Sequence, residues 1–227
     1  MKLVLRALCL VVLVLTGCED EPRERQAFKD FLQSRIVDKT GVHIPLMNDE
    51  TAKSFGPYAT HYQIILDFNS HLDLSALEQA GRLKSEVSNL TDLVAHRGEL
   101  KALHEAMPGI IAQCESRLVA VNAAHAALQQ PPDLKDVYDK AFDRIVTRPG
   151  TLLMKMLPLL DKNVNAMLAL TAYIADHPYD IKIEGMDATS NDTTIGIQVR
   201  ELLEALHRHD TEIEDLKRQF QALLTGT

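Results

Sequence analysis

Residues 195–223 read IGIQVRELLEALHRHDTEIEDLKRQFQAL. In this stretch Ile195, Val199, Leu202, Leu206, His209, Ile213, Leu216, Phe220 and Leu223 alternate spacings of four and three. That average of 3.5 residues aligns one side chain per turn along a single helical seam. Three other stretches repeat the pattern. Tyr58, Tyr62, Ile65, Asn69, Leu72 and Ala76 form one run, and Leu83, Val87, Leu90 and Val94 extend or follow it. Met107, Ile111, Cys114, Leu118, Val121, His125 and Leu128 form the second. Leu153, Leu157, Leu160, Val164, Met167, Thr171 and Ile174 form the third. The spacing predicts an all-α fold: an elongated antiparallel helical bundle whose short connectors bring the seams against one another.

Punctuation sets the expected limits of these helices. An earlier helix spans about 23–39, with Pro22 at its start, Ala27, Phe28, Phe31, Leu32, Ile36 and Val37 on one side, and Gly41 as its stop. Asn48 or Asp49 caps the next helix. Pro108-Gly109 begins or kinks the second run, and Pro131-Pro132 ends it. Asp133 then caps a shorter helix carrying Leu134, Val137, Tyr138, Phe142, Ile145 and Val146. Arg148-Pro149-Gly150 separates that helix from the third run, where Pro158 either kinks the helix or marks a later start. Tyr179-Asp180-Ile181-Lys182-Ile183-Glu184 alternates and Gly185 comes next, which predicts a small β-hairpin turning near Glu184-Gly185. Ser190-Asn191-Asp192 supplies cap residues for the last helix. No domain boundary is expected within 23–227.

The amino terminus has another design. Lys2 and Arg6 precede an apolar run from Ala7 to Leu15, too short to span a membrane as a helix. Leu15-Thr16-Gly17-Cys18 closes this run and resembles a bacterial lipobox. The resemblance implies a signal peptide over 1–17, cleavage before Cys18, a diacylglycerol on its sulfur and an acyl chain on its new amino group. Residues 18–22 then form an acylated tether. Cleavage would leave 210 residues and take the net charge from −8 to −10, because Lys2 and Arg6 leave with the signal. A surface this acidic, with no basic block, argues against nucleic acid and against an electrostatic grip on anionic lipid. The membrane contact is therefore assigned to the lipid. Of the three cysteines, Cys9 leaves and Cys18 is acylated, so Cys114 remains as a single thiol on an apolar seam, expected to be buried and inert.

No catalytic, cofactor-binding or metal-ligating set emerges. His104-Glu105 lacks the second histidine of a zinc protease motif, since Pro108 stands in its place. His207 and His209 project to different faces of a helix. There is no Gly-x-Ser-x-Gly elbow, phosphate loop or dinucleotide fingerprint. Glu201, Glu204, Glu212, Glu214 and Asp215 balance Arg200, Arg208, Lys217 and Arg218 on a solvated helix face. His125 and His209 occupy seam positions. They are expected to be mostly buried, satisfied by separate partners and structural, so that acid weakens folding between about pH 5 and 7.

From Cys18 through Gln33, at Phe55-Gly56-Pro57-Tyr58, at Ala123-Ala124-His125-Ala126-Ala127-Leu128 and from Asp133 to Phe142, the chain resembles the YiaF-like lipoproteins. This proteobacterial family carries a domain of unknown function. The resemblance implies an acylated envelope protein and supplies no catalytic residues. By analogy with enterobacterial lipoproteins, Glu19 after the acylated cysteine slightly favours inner-membrane retention, with the domain in the periplasm. The expected function is non-catalytic: binding an envelope protein or supporting an envelope assembly. The alternative is a module that holds a lipid or other apolar ligand between helices, lined by Met107, Met154, Met156 and Met167.

Overall fold

The computed structural model describes residues 20–71 and 75–227. Cys18 and the leader lie outside the described residues. The chain is mostly helical, with a two-stranded antiparallel hairpin before the last helical stretch, as the sequence predicts. In order, the elements are α1 (Glu21–Leu32), α2 (Asp49–Phe55), α3 (Ala59–Ser70), α4 (Ser75–Glu86), α5 (Leu90–Ala95), α6 (Arg97–Ala126), α7 (Pro132–Phe142) and α8 (Arg148–Asp176). The strands β1 (Ile181–Glu184) and β2 (Asp187–Ser190) come next, then α9 (Thr193–His207) and α10 (Asp210–Thr225). Wide turns of π-helix, Gln33–Val37 and Asp143–Thr147, continue α1 and α7, and a 3-10 turn, Gly56–Tyr58, joins α2 to α3.

The described residues form two compact units. The first takes in the residues up to His71, Leu118–Pro149 and Ala222–Thr227; the second takes in Leu72–Arg117 and Gly150–Gln221. In the first unit the aromatic residues of the predicted apolar faces come together as one cluster. Phe28 is fully buried, with ring centroids 5.0 Å from Phe55, 6.1 Å from Tyr58 and 6.3 Å from Tyr138. Phe31 packs edge-on against Tyr62 at 5.1 Å. The Tyr62 hydroxyl donates to the Pro45 carbonyl at 2.6 Å, so this ring is buried with its polar end satisfied. The first helical segment ends at Val37 with Asp38 as its cap, short of the expected stop; Gly41, at φ +70, lies in the loop beyond, where a Cβ would collide with the Leu224 carbonyl. Arg144 donates to the carbonyls of Val37, Lys39 and Gly41, which gives this helix end the partners it cannot find within the helix.

The second unit has an aliphatic core that includes Leu83, Leu100, Leu103, Met107, Leu153, Leu157, Leu170, Val199 and Leu206. Its hairpin pairs Glu184 with Asp187 and Ile183 with Ala188, and turns through Gly185 (φ +66) and Met186. Such a hairpin is marginal alone. Here β2 packs on α9, Ala188 is buried, and the Gly185 carbonyl accepts the Leu90 N–H at 2.9 Å. Asp192 caps α9 by accepting from the N–H groups of Thr194 and Ile195, and Asn48 caps α2 through Thr51.

Several helix limits differ from the sequence expectation. The run from Tyr58 to Ala76 is not one helix: α3 ends at Ser70, where the Ser70 hydroxyl and the His71 ring both reach back to the Asp67 carbonyl. The second run starts ten residues before Met107, at Arg97, and Pro108 stands inside α6. Pro158 likewise stands inside α8. Proline costs a helix a hydrogen bond, but buried residues on both sides, Met107 and Cys114 in α6 and Leu157 and Leu159 in α8, hold each helix together through it. Arg148-Pro149-Gly150 is no separator; it is the first turn of α8, where proline is tolerated. Asp133 lies in the first turn of α7, and Pro131 takes the cap position. The stretch 195–223 breaks into α9 and α10 at Arg208-His209.

Candidate functional site

Cys114, on α6, is 4% exposed. Burial pushes its thiol above the usual range, and Arg117 offsets this only in part. A shielded, protonated thiol is a poor nucleophile. We therefore expect native protein to resist a thiol reagent that labels the urea-unfolded chain rapidly; equal rates in the two states would contradict the burial.

His125 and His209 do have separate partners. His125 Nε2 lies 2.8 Å from Asp139, and the ring stacks on Phe142 at 4.1 Å. His209 Nδ1 lies 3.8 Å from Glu212. Both rings are only partly buried, at 22% and 26% side-chain exposure, and each faces a carboxylate. Separate partners were expected of the two rings, and in both cases the partner is a carboxylate. Burial pushes the Asp139 carboxyl up, but hydrogen bonds from Lys135 and His125 outweigh it and hold the group below its usual range.

His61 is also partly buried. Its ring lies edge-on to Tyr58 at 5.3 Å and to Tyr138 at 6.3 Å, and Nδ1 meets the Gln130 amide at 2.9 Å. Burial lowers its pKa. The unfolded chain thus binds a proton at His61 more readily than the folded chain does, and stability falls as pH drops below the ordinary histidine value of about 6.5. We expect His61→Gln to flatten the stability profile between about pH 5 and 6.5. Urea midpoints across that range check this. A wild-type slope retained in His61→Gln would remove the assignment. Sequence missed His61 because it lies beside the Tyr58–Tyr62 seam and not on it.

A polar cluster that the sequence did not suggest gathers Glu86, His96 and Glu99, whose ligand-type atoms lie within 4.8 Å of one another. Arg82 already supplies the cation: its guanidinium lies 3.2 Å from Glu86 and 2.7 Å from Glu99, and His96 Nδ1 lies 3.0 Å from Glu99. The hydrogen bonds from His96 and Arg82 hold the Glu99 carboxyl below its usual range. Arg82 therefore offsets part of the charge of the two carboxylates, and the cluster ties α4 to the start of α6. Other ionisable groups are paired in the same way. His104 lies 2.8 Å from Asp161, Glu214 lies 2.7 Å from Lys84, and Asp215 bonds Arg218. An open cleft of about 420 Å³ is lined by Glu184, Met186, Asp187, Leu203 and His207, with the His207 ring held by Asp210 at 2.7 Å. Of the methionines considered as ligand lining, Met107 and Met156 are buried in the second unit's core.

Comparison with known proteins gives a consistent result. A family model described as "Protein of unknown function (DUF3053)" matches residues 6–221. The uncharacterized protein YiaF of Escherichia coli (strain K12) is 30% identical over 174 residues, covering 74% of this chain and 73% of that protein. The YiaF proteins of Escherichia coli O157:H7 and Shigella flexneri match to the same extent. No solved structure matches the chain.

Proposed function

The chain belongs to the DUF3053 family, and we propose that it is a lipid-anchored envelope protein that binds another envelope protein through its helical surface without catalysing a reaction. The observation that carries this reading is Leu15-Thr16-Gly17-Cys18 behind a short charged leader and an apolar run. Two features of the body support it. The ionisable clusters among the described residues are internally paired, as in Arg82–Glu86–Glu99 and His125–Asp139. Large apolar side chains also stand exposed, among them Val119, Tyr179 and Ile197. Exposed aromatic and aliphatic side chains of this kind are suited to a protein partner.

In-cell photocrosslinking tests the proposal. A photoreactive residue at Tyr179 or Ile197 is expected to capture one recurrent protein, identified by mass spectrometry, that a probe at the exposed, charged Glu105 does not capture. Adducts no different from the Glu105 control at every apolar position would overturn the partner-binding reading.

A further inference from the structure

Helix α1 is clamped to the rest of its unit at three points, two of them in its first turn. Glu21 accepts from the Tyr58 hydroxyl at 2.5 Å, and burial together with this bond pushes the Tyr58 hydroxyl up to about 12. The Glu24 carboxylate fills the space that a side chain at Gly56 (φ +54) would need. Arg25 and Lys29 both pair with Asp133, at 3.6 and 2.7 Å. These contacts gather the amino end of α1, the α2–α3 junction and the amino end of α7 into one pole of the first unit.

Only Glu19 and Asp20 separate Cys18 from Glu21, the first residue of α1. Three chain steps span at most about 10 Å even when fully extended. An acyl group on Cys18 would therefore act through a short tether on a helix turn that cannot peel away without breaking the clamp. The pole also differs in charge from the remainder of an acidic chain. Asp20, Glu21, Glu24 and Asp133 stand there against Arg23, Arg25, Lys29 and Lys53, so the pole is charge-balanced, and the prolines Pro22, Pro57 and Pro132 are exposed on it. A charge-balanced pole is not repelled by anionic headgroups as a net acidic surface is.

The geometry points to this pole as a lipid-contacting surface: the first unit rests on the headgroups of the leaflet that holds its own anchor, and does not hang from a flexible stalk. The inference rests on acylation of Cys18.

The test uses full-length acylated protein in vesicles of phosphatidylethanolamine and phosphatidylglycerol that carry a headgroup quencher. Fluorophores are attached through Arg23→Cys, Lys53→Cys and, as the distal reference, Lys39→Cys, which lies beyond a helical segment roughly 20 Å long. Mass spectrometry of the amino-terminal peptide first establishes the lipid. The expected result is several-fold stronger quenching at Arg23 and Lys53 than at Lys39. A 20-residue glycine–serine insertion after Asp20 should abolish that difference without altering acylation. Acylated protein with equal quenching at all three positions overturns the lipid-contacting pole and leaves the anchor standing. A Cys18 found without lipid overturns both, and the mass measurement distinguishes the two failures.

Discussion

Cys18→Ser is expected to move the protein from the membrane fraction to the soluble fraction almost completely. The physical basis is the size of the lipid contribution. Each buried methylene contributes about 0.8 kcal/mol, so one acyl chain holds a protein only marginally while several hold it almost irreversibly. Among the described residues no helix is long and apolar enough to cross a membrane, so nothing there would replace the lipid as a spanning anchor. Residual attraction between the exposed Arg23 and Lys53 and anionic headgroups is screened at high salt. Cys18→Ser could retain its uncleaved leader, so a second variant should carry a leader cleaved without a lipobox. The measurement is fractionation and then a high-salt wash. Persistence of both variants in the washed membrane fraction would sink the anchor assignment.

Phe28→Ala is expected to lower the stability of the first unit by about 3–5 kcal/mol, the usual cost of truncating a buried aromatic ring. Phe28 is fully buried and touches aromatic rings from three separate stretches of chain, at Phe55, Tyr58 and Tyr138. Those rings carry their own fixed hydrogen bonds, Tyr58 to Glu21 and Tyr138 to the His61 carbonyl, which limits how far they can collapse into the space left behind. The cavity term should therefore be retained. Val119→Ala, at a position 66% exposed, should change stability by no more than about 0.5 kcal/mol. Urea unfolding monitored by circular dichroism measures both. The chain forms two compact units, so the curve should be examined for two transitions before a single free energy is assigned. A loss below about 1 kcal/mol for Phe28→Ala would show that the cluster is not the unit's core.

Much of the local structure was legible from residue spacing. The hairpin turn at Gly185, the caps at Asn48 and Asp192 and the burial of Cys114 all depend on residues within a few positions of one another. The site environment was far less legible. The sequence marked His125 and His209 as unusual because they interrupt apolar runs, and the structure gives each a carboxylate partner. It passed over His61, whose desolvation comes from Tyr58, Tyr138 and Gln130 together. It also passed over the cluster of Arg82, Glu86, His96 and Glu99, because charged residues at helical spacing look alike whether they face solvent or one another.

The sequence by itself determined the all-α class, the place of the hairpin and the faces that would be buried. Side-chain period and backbone preference act within a turn or two and are written directly in residue order. Tertiary structure alone decided where the long runs break, at His71 and at Arg208-His209, and that α6 and α8 continue through Pro108 and Pro158. It also decided that the core of the first unit is a cluster of rings drawn from residues 28 to 142, and that Arg144 closes a helix end about a hundred positions away in the chain. A periodic pattern states which face must leave water. Which surface receives that face depends on shape and hydrogen-bond matching between distant segments, and those exist only once the chain has folded.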